Sequence, residues 1–234
     1  ANTFQYLIDG SAAIRNRVQA AGKQVRYTAY GYHGTEILIG GDYLWQTYTN
    51  YTQGHAKMRL EQVAKNAWAQ GVKATVFNCP EIRTNSSDIF VGVELSLFPL
   101  LQALKKEGGA AWADAQWQTC QALLQDGHSV DSLLATISSY NASETMQGFR
   151  NFAAWPMDNS EALAETMIGT SEGITQMHKD TKALITDHLS SLVLEAAGPL
   201  MFHGAANSEA PVYWLNHDVV AKQLNSLHSE VKGA

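Results

Sequence analysis

Apolar and polar positions along the chain fall into two periodicities, and these predict its elements. Helical spacing is plainest over residues 56–71, AKMRLEQVAKNAWAQG, where Met58, Leu60, Val63, Ala67 and Trp68 share a stripe and Gly71 offers a stop. Residues 11–22, SAAIRNRVQAAG, have a serine start, apolar residues at the same spacing and a glycine end. Residues 23–32, KQVRYTAYGY, are β-branched and aromatic with partial alternation, which predicts a strand. Residues 72–79, VKATVFNC, predict a second short strand closed by Pro80. Strand, helix and strand in that order predict a βαβ unit with a parallel pair. Residues 33–54 are punctuated by glycine and fit either state.

The middle of the chain, residues 89–185, reads as a helical insertion, with helical segments over 91–108, 110–127, 129–140, 159–170 and 171–188. Residues 187–208, DHLSSLVLEAAGPLMFHGAANS, read as two β-rich runs joined by a Gly-Pro turn, a hairpin. Residues 216–231 read as a C-terminal helix with Val219, Val220, Leu224 and Leu227 on one face. The fold class expected is α/β: one domain over 1–234, a mixed sheet flanked by helices, with 89–185 inserted.

Composition narrows the function classes. The chain has 234 residues, 45% hydrophobic and 16% charged, with a formal net charge of −6. It can therefore bury a sizeable core. No basic run long enough to advertise a nucleic-acid groove is present. No apolar run reaches the roughly 18 residues that a membrane helix needs. Low charge and six tryptophans favour an exported protein, secreted or periplasmic, and the opening ANTFQYL suits a mature chain. Sequons stand at Asn50, Asn85 and Asn141. The two cysteines, Cys79 and Cys120, allow either one disulfide or two buried thiols.

The expected hairpin brings chemistry with it. It carries His188, Ser190, Glu195, His203, Gly204 and Asn207, and the plain alternative is two strands with incidental histidines. Three pieces resemble the phospholipase D superfamily: LEQVAKNAWAQGVKATVF (60–77), HLSSLVLE (188–195) and GAAN (204–207). The second is similar to the H-x-K-x4-D segment and the third to G-S-x-N. Ser190 replaces the lysine, Glu195 the aspartate and Ala205 the serine. The resemblance implies a phosphodiesterase-type hydrolase that uses neither metal nor other cofactor, acting on a small-molecule or lipid phosphodiester. His188 would be the nucleophile, Glu195 its orienting partner and His203 the proton donor. Ser190, Gly204 and Asn207 would bind the phosphate. One such motif per chain implies a homodimer.

Alternatives remain open. The missing lysine and serine suit a non-catalytic secreted binding protein on the same fold. GYHGTE (31–36) resembles the nicotinamide-binding start of diphtheria-toxin-like ADP-ribosyltransferases, which would give His33 that role. His188, His203 and His217 with Asp218 or Glu195 could gather a metal, although no ligand spacing supports it. DYLWQTYTNY and WADAQW read first as core packing and second as a stacking platform. His178 and Lys182 read as a solvated i, i+4 pair.

Overall fold

The computed structural model describes residues 1–31, 34–47, 52–88, 91–108, 110–144, 146 and 161–230. Two short helices open the chain, α1 (Asn2–Gly10) and α2 (Ala12–Ala20). Ser11 joins them with little interruption, because its N–H donates to the Leu7 carbonyl and its own carbonyl accepts from Arg15 N–H. Strand β1 (Arg26–Gly31) follows, then the strands β2 (Gly34–Ile39) and β3 (Asp42–Thr47), the helix α3 (Thr52–Ala69) and β4 (Lys73–Asn78). β1 and β4 pair in parallel, Arg26 opposite Lys73 through Gly31 opposite Asn78, as the βαβ pattern predicts. Gly71 ends α3 with a φ of 75°, a left-handed conformation that costs glycine little. β2 and β3 form a separate antiparallel pair, Glu36 opposite Trp45, turning at Gly40 and Gly41.

Between β4 and the last strand run α4 (Val93–Leu97), α5 (Leu100–Lys106), α6 (Ala110–Ala122), α7 (Val130–Ala142), α8 (Glu161–Gln176) and α9 (Ile185–Asn207). Strand β5 (Val212–Trp214) then adds to the other edge of β4, giving the parallel order β1-β4-β5, and α10 (His217–Glu230) closes the described chain. The expected α/β class is present, with three parallel strands and one antiparallel pair amid helices.

Alternation along β4 divides the interior. Ala74 and Val76 face α1 and α3, packing with Phe4, Ile8, Leu60, Val63, Ala64 and Ala67. Phe77 faces the opposite way, into a larger core built on Leu97, Phe98, Leu101, Leu104, Leu133, Ile137, Leu189 and Leu224. Burial of such side chains stabilises each by roughly 1.5–3 kcal/mol.

The hairpin expected over 187–208 is not there. Those residues belong to α9, one 23-residue helix that runs through Pro199. A continuous apolar run does not distinguish a buried strand from a buried helix, and here length and packing decide. Gly198 lets the helix pass Pro199, because it has no Cβ to clash with the proline ring. His178 is also not the solvated residue expected. It is buried between α8 and α9, its Nδ1 3.0 Å from the Ile174 carbonyl and its Nε2 3.3 Å from Ile185 N. Nε2 accepts from that N–H, so the ring proton sits on Nδ1.

Candidate functional site

Open parallel sheets bind ligands outside the carboxyl ends of their strands. Here those ends are Gly31, Asn78 and Trp214, which lie side by side in register. The β2–β3 hairpin is clamped onto this edge by Asn216, which follows β5. Glu36 N–H donates to Asn216 Oδ1 at 3.0 Å, and Asn216 Nδ2 donates to Glu36 Oε2 at 3.1 Å. Glu36 lies opposite Trp45 in the hairpin register, so both project from one face. Trp45 meets Trp214 edge to face at a centroid separation of 4.9 Å. Two indoles, a carboxylate and an amide thus line one corner, each half-buried.

Beneath this corner the polar groups are fully buried. Asn78 Nδ2 donates to Glu61 Oε1 at 2.7 Å, while Asn78 Oδ1 has no partner. Gly31 sits so close that a Cβ there would lie 2.2 Å from Asn78 Oδ1 and 2.8 Å from Val76 Cγ1, so any larger residue would have to displace those side chains. Leu215 N–H donates to the Asn78 carbonyl at 2.7 Å and Cys79 N–H to the Gly31 carbonyl at 2.8 Å. These two bonds knit the three strand ends together. His217 opens α10 completely buried, with both ring nitrogens unpartnered. Burial lowers its pKa to about 3 despite the neighbouring Asp218, so it is neutral. Burial pushes the Cys79 thiol up to about 12. The corner offers indole surface for stacking and amide groups for polar recognition.

A second buried group lies deeper in the helical region. Glu94 on α4 is held above the usual carboxylate range by burial, against hydrogen bonding from Ser171 and the positive charge of Arg83. Arg83 in turn pairs with Asp187 at 2.8 Å, and its N–H donates to Ser190 Oγ at 2.8 Å.

The residues expected to form a phosphodiesterase site are not brought together. His203 lies 15 residues beyond His188 on one helix, roughly 22 Å along its axis. His188 Nε2 contacts Gln116 Oε1 at 3.0 Å, and burial lowers its pKa. Glu195 pairs with His228 at 3.0 Å instead of orienting His188, and His228 stacks on Trp112. Ser190 donates to the Thr186 carbonyl and Asn207 to the His203 carbonyl, so both serve their own helix. His203 is exposed, its ring edge-on to Phe202. Gly204 is a packing glycine: a Cβ would lie 2.6 Å from Phe77 Cζ. Of the six, His188, Ser190, Glu195 and Gly204 tie α9 to neighbouring elements.

Other expectations resolve in the same way. Cys79 and Cys120 are both free and buried, which selects the two-thiol alternative. Asn141 is buried with its amide on the Ile137 carbonyl, so its sequon is not available. Among the described residues no three His, Cys, Asp or Glu gather as a metal site, and no helix is long and apolar enough to cross a membrane. Trp112 and Trp117 pack against the core as expected, with Lys105 Nζ 3.9 Å from the Trp117 ring centroid. His33 and Asn50 lie outside the described residues.

A family model described as enoyl-acyl carrier protein reductase FabMG matches residues 1–224. The chain belongs to this family. Two solved FabMG structures are similar to it. One is the apo structure of FabMG, a novel type of enoyl-acyl carrier protein reductase, 68% identical with a TM-score of 0.92; the match covers 98% of this chain and 52% of that one. The other is the NADH-bound structure of FabMG, 62% identical with a TM-score of 0.81, covering 97% of this chain and 55% of that one. The chain therefore spans about half the length of these solved FabMG relatives. Among curated proteins, none matched.

Membership of the FabMG family overturns the phospholipase D resemblance and the hydrolase reading built on it, together with its phosphodiester substrate. It equally overturns the non-catalytic binding protein and the ADP-ribosyltransferase alternatives. The residues of the carboxyl-edge corner escaped the sequence reading because Glu36 and Asn216 are 180 positions apart. The available signal was Gly31-x-x-Gly34 after a strand, quoted there for another family.

Proposed function

We propose that this chain forms part of an NADH-dependent enoyl-thioester reductase, and that the corner at the carboxyl ends of β1, β4 and β5 takes the nicotinamide end of the cofactor. The single observation that carries the reading is the 62% identity to an NADH-bound FabMG over 97% of the chain. The corner fits that group on its own terms. Gly31 leaves no side chain where the backbone approaches Asn78, Asn78 Oδ1 is an unused acceptor for an amide N–H, and two indoles supply apolar ring surface.

Reduction of an enoyl thioester adds one hydride, which bound NADH would supply, at the β-carbon and one proton, from solvent, at the α-carbon. Trp45 and Trp214 would cover the nicotinamide ring and exclude water, which would strengthen the polar contacts around it. Glu36 and Asn216 hold the hairpin, and with it Trp45, in position. His217, neutral beneath the corner, would add no positive charge next to a bound nicotinamide.

The test is titration with NADH, read as energy transfer from tryptophan to the reduced nicotinamide, in wild type and in Trp45→Ala. Saturable transfer that weakens at least about tenfold in the variant is expected, in keeping with the loss of a stacking residue. Saturable transfer with unchanged affinity in Trp45→Ala would place the ring elsewhere. No saturable transfer in wild type would refute the proposal for this chain.

A further inference from the structure

A cavity of about 370 Å³ lies between the β2–β3 turn and the helices α5, α6 and α7, and the corner at the sheet edge makes no use of it. Its size suits a small molecule. Gly40 and Gly41 form one wall. Both have positive φ, 61° and 95°, and open space stands where a Cβ would be. Lys106 Nζ donates to the Gly41 carbonyl and so holds this turn on α5. Leu38, itself buried, supplies apolar surface to the cavity. Trp117 supplies more, while it also packs against the core.

The rest of the wall donates hydrogen bonds. Gln102 and Lys105 stand at i and i+3 on α5, so they share a face, and Ser138 joins them from α7. Lys105 Nζ lies 3.9 Å from the Trp117 ring centroid, which keeps the ammonium at the cavity wall. Its carboxylate partner is Asp114 at 3.1 Å, on side chains 41% and 62% exposed. Such an exposed pair contributes little and exchanges readily. Among the described residues, neither the Gln102 amide nor the Ser138 hydroxyl has a side-chain hydrogen bond. One ammonium, one amide and one hydroxyl thus border an apolar surface in a single cavity.

We infer that this cavity binds a small apolar carboxylic acid as its anion. The carboxylate meets Lys105, Gln102 and Ser138, and the hydrocarbon lies against Leu38 and Trp117. Charge decides for a carboxylate: a single ammonium matches one negative charge, whereas a doubly charged phosphate would keep one charge unpaired against apolar surface. Leu38 is two residues from Glu36 on β2, so both project from the same face of the hairpin that carries Trp45. Occupancy therefore orders the turn of that hairpin. The inference does not rest on the reductase reading, since none of these residues belongs to the corner assigned to NADH.

Hexanoate is the probe and its neutral amide, hexanamide, the control. Calorimetry measures affinity in wild type, Lys105→Gln and Asp114→Asn, with circular dichroism confirming that the variants are folded. Hydrogen exchange locates the ligand. The expected result is saturable hexanoate binding that exceeds hexanamide binding and slows exchange in the β2–β3 turn. Affinity should fall about fivefold or more in Lys105→Gln and rise in Asp114→Asn, where the competing carboxylate is gone. No saturable binding by wild type at millimolar hexanoate would overturn the inference. So would unchanged affinity in Lys105→Gln, equal binding of the neutral amide, unchanged or weaker binding in Asp114→Asn, or protection confined to other elements.

Discussion

His217 gives the sharpest test of the electrostatic account. It is completely buried with both nitrogens unpartnered, and its pKa falls to about 3. In the unfolded chain the same imidazole titrates near 6.5. The folded state thus binds this proton less readily than the unfolded state. Stability from this site is intact above about pH 6.5 and is lost as pH falls towards about 3. At about 1.4 kcal/mol per pH unit, the loss at about pH 5 is roughly 2 kcal/mol. His217→Leu fills a similar volume and removes both unpartnered nitrogens, whose burial costs about 1–3 kcal/mol each. The variant should be at least as stable as wild type at neutral pH. Its advantage should grow by about 2 kcal/mol on acidification to about pH 5. Urea unfolding at the two pH values measures this directly, with the slope of the transition checked for constancy. Burial also lowers the pKa of His178 and of His188, so the variant keeps part of the acid dependence and the difference between proteins is the relevant quantity. An unchanged pH dependence in His217→Leu would refute the reasoning, as would a loss above about 2 kcal/mol at neutral pH.

Four further outcomes follow from the same geometry. Asn216→Ala removes both bonds to Glu36 and should cost about 1–3 kcal/mol, with hydrogen exchange of β2 and β3 rising more than that of β4. Gly204→Ala drives a methyl into the Phe77 ring and should lower stability by about 1–3 kcal/mol in thermal unfolding, whereas Gly173→Ala, with open space around it, should not. His188→Ala loses one half-buried contact to Gln116 and should cost about 1 kcal/mol, with reductase turnover unchanged. Both thiols, pushed up to about 12, should resist a thiol reagent until the protein unfolds, and reductant should leave the melting temperature unmoved.

Legibility from sequence followed the range of the interactions. The β1–α3–β4 unit could be read because its signals are local: an amphipathic stripe, a glycine stop and a strand ended by proline. The C-terminal helix could be read from the spacing of Val220 and Leu224, both fully buried. α9 could not, since its apolar residues occur all round the helix and Gly198-Pro199 imitates a turn. β5 is three residues long and exists through pairing with β4, a contact no local pattern encodes. The candidate site failed for the same reason as α9. Residues chosen for their spacing on a supposed hairpin were strung along a helix, whereas those that do converge come from β2, β3, β4 and the turn after β5. A candidate site of this kind is a property of tertiary geometry, and only Gly31-x-x-Gly34 marked its position locally.

The most direct test of the central claim is the rate of NADH oxidation by an enoyl thioester, followed by the loss of the cofactor's near-ultraviolet absorbance in wild type and Trp45→Ala/Trp214→Ala. The account predicts oxidation that requires the thioester, and a KM for NADH at least about tenfold higher when the two indoles are removed. Thioester-dependent oxidation with an unchanged KM in the double variant would contradict the placement of the cofactor, and no oxidation by wild type would contradict the activity itself.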